Sequence, residues 1–383
     1  MRFRFHEGHQ SAEQTAVHRA IERWWSAFRA NAAQIDSMFR QGAQLDLPAF
    51  MHEHLAAVDE RLMWEFGPAL RGGKHRLVVT PERVRHLRPL VDELLSRAPA
   101  DTGFEFYFGR QAEPLELVAM TVEGRTAESI EGWRLSATIN EHLGLDLRVV
   151  PRREQLASEE ISGAAVVAAE SLLGEAFLDV FCDSIDVSSD EPDAVPLDAA
   201  GAHLRSMLER ARGTLATAPL HEFGDTLKWT MFKLEPRRAE DYPHQLDLFV
   251  GKTVHVPMWQ CAHSAGFSSA RFSRFGETFC FLKLDGKDAG SETFADKGAI
   301  EDALEAALRP AGLGAVVGGG TGLRYSYIDL ALPDVERALP VVRQALQRGG
   351  IAKRSWLQFY DDALAAEWVG IWDDTPAPPG VAD

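Results

Sequence analysis

Apolar residues recur through the first forty positions at the spacing of a helix. Val17, Ile21, Trp24, Phe28, Ile35 and Met38 fall on one stripe, widened by Trp25 and Phe39. The pattern predicts a long helix with a broad buried face that ends at Gly42. A second helix is predicted from "LDLPAF", with Asp46 at its N-cap and Pro48 in its first turn. Met51, Leu55, Val58 and Leu62 carry its stripe until "FGP" at 66–68 stops it. Further on, Leu77 to Val79 predict a short strand, with Thr80 and Pro81 opening a helix whose buried face is Val84, Leu87, Leu90, Val91 and Leu94. Strands are predicted at 104–108, 133–139 and 145–151, a helix near 114–122, a buried helix over 162–182 and a strand at "DSIDV".

The second half is richer in strands: "DTLKWTMFKLE", "LDLFVG", "KTVHVPMW" and "TFCFLKLD" all alternate or run apolar. From Phe279 the order becomes strand, helix (296–308), two strands around a glycine cluster, helix (334–348) and two last strands, "SWLQFY" and "AEWVGIW". That is the split βαβ order of a ferredoxin-like sandwich. Pro340 falls inside the last helix, where a kink or a late start is expected. The fold class is therefore expected to be α+β in two domains. Residues 1–190 make a mixed helix and strand domain, 191–218 an acidic linker with a bridging helix, 219–373 a ferredoxin-like domain and 374–383 a disordered tail.

Composition narrows the class. A chain of 383 residues, 45% hydrophobic and 25% charged, has the make-up of a soluble globular protein of two domains. Its 57 acidic against 40 basic side chains, a net charge of −17, disfavour nucleic acid and anionic membranes as partners. "MRFRFHEGHQ" lacks the apolar core of a secretion signal, and no run of eighteen apolar residues occurs, so a cytoplasmic location is expected. Cys182, Cys261 and Cys280 are odd in number and far apart, which fits reduced, buried thiols.

The candidate chemistry is sparse. Gly318, Gly319, Gly320, Thr321 and Gly322, followed by Arg324, suggest a phosphate cradle, but no G-x-G-x-x-G register completes and a strand follows where a helix is required. A turn or bulge between strands is expected instead, with its backbone N–H groups as weak candidates for an anionic ligand. His255, Cys261, His263 and Cys280 offer soft ligands, yet their spacing matches no zinc module, so no metal and no cofactor are expected. On an alternating strand Cys261 and His263 would share a face, which makes His255, Cys261 and His263 the candidate catalytic set. Glu65 and Glu175 are a further candidate pair of carboxylates meeting at one site.

"LMWEFGPAL…KHRLVVTPERVRHLRPLVDELLSRAP", "SLLGEAFLDVFCDSIDV" and "GGGTGLRYSYIDLAL…SWLQFYDD…EWVGIW" resemble uncharacterised bacterial proteins of the domain-of-unknown-function type. The resemblance covers about half the chain; it implies two α+β domains and a bacterial source, and carries no activity or site residue. The expected function is that of a non-enzymatic binder of a protein partner or a small ligand, of regulator, immunity or adaptor type. The alternative is a hydrolase built on His255, Cys261 and His263, with or without a metal.

Overall fold

Thirty residues of amphipathic sequence form α1 (Ala12–Gln41), whose buried stripe includes Ile21, Trp24, Trp25, Phe28 and Ile35. The computed structural model describes residues 2–5, 12–42, 44–237, 241–264, 266–286 and 294–380. Asp46 caps α2 (Leu47–His54) by accepting from Ala49 N at 3.0 Å. This helix ends eight residues before the last position of its apolar stripe. Met51, Leu55, Val58 and Leu62 are all buried, but Leu55 and Val58 lie in turns and Leu62 immediately precedes a strand. Trp64 and Phe66 then alternate with Glu65 and Gly67 in β1 (Met63–Pro68), because a shared buried face does not require a shared helix. β1 pairs antiparallel with β2 (His75–Thr80). Thr80 caps no helix: α3 (Arg88–Ser96) starts later, and the threonine hydroxyl instead accepts from Glu82 N at 2.8 Å and donates to Glu175. β3 (Glu105–Phe108) completes the three-stranded sheet, parallel to β2.

The next layer begins with α4 (Leu115–Thr126), β4 (Arg134–Ile139) and β5 (Leu145–Val150). The helix expected over 162–182 is broken into α5 (Ile161–Leu173) and α6 (Glu175–Phe181) at Gly174, whose φ of 81° suits glycine and whose Cβ would meet Ala112 N. β6 (Cys182–Val187), β7 (Val195–Pro196) and α7 (Leu197–Arg212) follow. The sheet order is β6-β5-β4-β7. Within the stretch expected as a linker, Val195 and Pro196 pair with β4, and α7 buries Leu197, Ala200, Leu204 and Leu208 in this layer's core.

The third layer is a seven-stranded antiparallel sheet. Its elements are β8 (Thr230–Lys233), β9 (Leu248–Thr253), α8 (Val256–Ala262), α9 (Ser269–Phe272), β10 (Thr278–Asp285), α10 (Lys297–Leu308), β11 (Ala315–Gly322), β12 (Tyr325–Leu332), α11 (Val335–Arg348), β13 (Ser355–Phe359) and β14 (Trp368–Gly370). The strand order is β14-β13-β10-β12-β11-β9-β8. Helices α10 and α11 bury Ile300, Leu304, Ala338, Val342 and Leu346 against Cys280, Leu282, Ile328, Leu330 and Leu357 on one face, and α11 runs through Pro340. Helices with mixed and antiparallel sheets make the chain α+β. Near the C-terminus, Trp356 Nε1 donates to Pro376 O at 2.6 Å; of the tail expected to be disordered, residues 381–383 lie outside the described residues. Among the described residues no helix is long and apolar enough to cross a membrane.

Candidate functional site

The histidine and cysteine cluster does not lie on a strand. β9 stops at Thr253 and residues 256–262 form α8, with His255 at its N-cap and His263 at its C-cap. Pro257 in the first turn and a side-chain cap favour the helix over an extended run. His255 Nδ1 accepts from Met258 N at 3.3 Å and its Nε2 lies 3.0 Å from Phe272 O, so both ring nitrogens are engaged. Burial pushes its pKa down. Cys261 is fully buried and its Sγ lies 3.4 Å from Gly266 O; burial pushes the thiol up to about 11, which leaves it protonated at neutral pH. Cys280 faces the opposite side of the sheet, within the α10 and α11 core. Among the described residues, no group of three or more His, Cys, Asp and Glu side chains could hold a metal ion. Glu65 and Glu175 do meet, but around Arg110: its Nε donates to Glu65 at 2.9 Å and its backbone N to Glu175 at 3.2 Å, while its guanidinium also pairs with Glu170. This is an ion-pair joint between the first two sheets.

The glycine run is not a turn. Gly318 to Gly322 are residues of β11, and the reversal is made by Leu323 and Arg324. A bulge does occur, between Val316 and Gly318. Gly319 has φ 141°, and its Cβ would strike Tyr327 O. A Cβ on Gly318 would strike the Asp329 carboxylate, and one on Gly322 the Asp247 carboxylate. The glycines thus make room for two buried acids on neighbouring segments. Asp247 Oδ2 accepts from Arg324 N at 2.8 Å and Tyr325 N at 2.9 Å, so the anion facing these backbone N–H groups is the chain's own. The Arg324 guanidinium is engaged as well, on Asp285 at 2.6 Å and Asp241 at 3.4 Å.

Opposite the helices, the sheet presents polar side chains where an apolar face would be ordinary. Phe281, Lys283, Tyr325, Tyr327, Asp329, Trp356 and Gln358 are buried there. Lys283 donates to Tyr242 O, lies over the Tyr325 ring at 4.3 Å, and is lowered to about 8 by burial. Beside Phe281 opens a cavity of about 320 Å³ lined by Gln245, His263, Phe281, Gln358, Tyr360 and Glu367, among others. A second cavity of about 670 Å³ adjoins it, with His244 and Ala365 lining both.

A hydrogen-bond chain runs from the cavity into the sheet. His263 Nδ1 lies 2.7 Å from Trp259 O and its Nε2 2.9 Å from Gln245 Oε1. Gln245 Nε2 lies 2.8 Å from Tyr360 Oη, which lies 2.8 Å from Asp329 Oδ1. A backbone carbonyl only accepts, so Nδ1 of His263 carries a proton. Two arrangements then satisfy the chain. In one, an imidazolium donates to Gln245, Gln245 to Tyr360, and Tyr360 to an ionised Asp329. In the other, the Gln245 amide is turned, neutral His263 accepts from it, Tyr360 donates to it, and a protonated Asp329 donates to Tyr360. Burial raises Asp329 to about 7 and lowers His263, which favours the second arrangement because it buries no charge. His263 has an edge in solvent whereas Asp329 has none, so the chain links the surface to the interior.

Three buried polar atoms here lack a hydrogen-bond partner among the described residues: Trp259 Nε1, Asp329 Oδ2 and Gln358 Oε1. Of this constellation the sequence pointed only to His263. The signal that could have found Asp329, Lys283 and Gln358 is a polar residue at an inward position of a strand that is otherwise apolar. Compared with family models, with curated proteins and with solved structures, the chain matches none.

Proposed function

We propose that this chain is a non-enzymatic binding protein whose small ligand occupies the cavity beside Phe281. The observation that carries the reading is the lining itself: a concave site near the lower end of ligand-pocket sizes, where His263, Gln245 and Tyr360 converge on aromatic walls. The hydrolase alternative finds no support in the geometry. Cys261 is a buried thiol, and His255 spends both nitrogens on backbone groups. A protein partner has its support elsewhere, in exposed Trp229, Met231 and Phe249 on and beside the edge strand β8; Met231→Asp should abolish capture of any such partner.

The regulator, immunity or adaptor role and the bacterial, cytoplasmic setting stand as part of the same proposal. So does the ferredoxin-like assignment, supported by the central order β13-β10-β12-β11 with two helices on one face. The two-domain division is proposed with it; limited proteolysis that cuts first outside 191–218 would contradict it. The ligand reading is tested by a thermal-shift screen of small fragments against the wild type and Gln245→Leu. Hits that are lost in the variant, with its own melting cooperative, support the site. Hits that persist unchanged, or no hits at all, refute it.

A further inference from the structure

β8 (Thr230–Lys233) ends the seven-stranded sheet, and among the described residues no strand lies beyond it. Its register with β9 runs from Thr230 opposite Thr253 to Lys233 opposite Val250, and Leu234 N donates to Phe249 O at 2.9 Å. An antiparallel pair bonds at alternate residues, so Thr230, Phe232 and Leu234 turn their N–H and C=O groups to β9. Met231 and Lys233 turn theirs to the open side. β9 agrees: Val254 N donates to Val317 O, which sets Lys252 and Val250 toward β11 and leaves Gly251 and Thr253 for β8. The opposite end of the sheet is finished differently. There Arg2 donates to Trp368 O of β14 at 2.9 Å and lies over the Trp368 ring at 3.6 Å, so the chain's own N-terminal segment occupies that edge.

The side chains beside the open edge are apolar and basic. Met231 is 71% exposed and Trp229 48%. Both lie on the face that carries α10: Met231 stands opposite Lys252, whose Nζ lies over the Trp229 ring at 4.7 Å and pairs with Glu301 of α10 at 2.7 Å. Lys233 follows on the same face of the strand. Lys228 and Lys233 are exposed and form no ion pair among the described residues, while exposed Glu235 and Arg237 just beyond offset each other. A chain of net charge −17 thus places unpaired cations at an open ladder.

Resting on the reading of this edge as a partner surface, we infer that β8 takes up an extended acidic segment of another protein as an added strand of the sheet. Met231 and Lys233 supply the backbone hydrogen bonds. Trp229 and Met231 pack against apolar side chains at alternate positions of the segment, and the lysines pair with carboxylates at its ends. A second copy of this chain is the poorer occupant. Pairing β8 with itself brings the lysines of both copies together, along with two bodies of the same net charge.

The probe is the capped, dye-labelled peptide Asp-Thr-Val-Thr-Val-Thr-Asp, titrated with the full chain and followed by fluorescence anisotropy, with lysine in place of aspartate as its counterpart. The acidic peptide should bind saturably, and about fivefold or more tightly than the basic one. Met231→Pro removes an outward N–H and no bond to β9, which an edge strand tolerates; it should weaken the acidic peptide roughly tenfold. Met231→Val keeps that N–H and should bind about as the wild type does. Lys233→Glu should remove the preference for the acidic peptide, and it still decides if Met231→Pro does not fold. Equal binding of the two peptides, a preference unchanged in Lys233→Glu, or binding unchanged in Met231→Pro overturns the added strand. A protein captured from a lysate that is lost in Met231→Asp but retained by Met231→Pro leaves the partner surface standing and refutes this inference alone. A concentration-dependent dimer of the chain that Met231→Pro dissolves assigns the edge to a second copy and refutes it too. No saturable peptide binding and no captured protein refutes both.

Discussion

Tyr360 Oη lies 2.8 Å from Asp329 Oδ1, and that contact joins a cavity to a carboxyl group buried to 1% exposure. Gly318 stands against the other face of the same carboxyl, where a Cβ would collide with it. The stretch of chain that looks most like a nucleotide loop is therefore the backing of a buried acid.

A pH dependence follows. Burial raises Asp329 from its ordinary 3.8 to about 7, so the folded chain holds a proton that the unfolded chain releases. The stabilisation is full below pH 3.8 and is lost as pH rises through 7, on the order of 4 kcal/mol in total. His255, lowered by burial, acts in the opposite direction and costs stability as pH falls below 6.5. Asp329→Asn isolates the acid. In urea unfolding the variant should match the wild type near pH 4 and exceed its stability near pH 8. A difference that does not change with pH would contradict the assignment.

Gln358→Met should stabilise the unliganded protein. Removing an unpaired buried amide while keeping its volume is worth about 1–2 kcal/mol, seen as a higher melting temperature. A loss of more than ~1 kcal/mol would mean that the amide is satisfied in solution.

Gly320→Val should damage folding first. A Cβ there meets Val250 O and Leu248 between two paired strands, and such overpacking costs about 1–3 kcal/mol or more. The chemical midpoint should fall, and soluble yield with it. An intact fold with binding lost would make the run a ligand loop after all.

Arg271 joins the second layer to the third. It is 1% exposed, forks Asp183 at 2.6 and 3.1 Å, and donates to Val180 O. Arg271→Met removes the pair with the exposed Asp183 and the bond to Val180 O, a loss of about 1–2 kcal/mol. Because both layers meet at this residue, near-UV and far-UV unfolding should shift together. An unchanged midpoint would show that the joint carries no stability.

The sequence revealed the elements whose periodicity matched their burial: α1, α10, α11 and the central strands are where the stripes place them. It misled where one buried face served two conformations. Met51 to Leu62 look like a helix because they share a core, and 253–259 look like a strand although His255 and Pro257 start a helix. The glycines look like a turn because their reason for being small lies on other segments, at Asp247 and Asp329. The site was harder still. Gln245, His263 and the pair Gln358 and Tyr360 come from three separate stretches of the chain and meet at one cavity, while Asp329 is brought behind Tyr360 from a fourth.

The most direct test of the ligand site uses the chain's five tyrosines. Labelled with 3-fluorotyrosine, the protein should give five fluorine resonances, with that of Tyr360 assigned through Tyr360→Phe. On titration with fragments, the Tyr360 resonance should move saturably while that of Tyr107, on the first sheet, stays fixed. Fragments that move Tyr107 as much as Tyr360, or leave every tyrosine unmoved, would contradict the account.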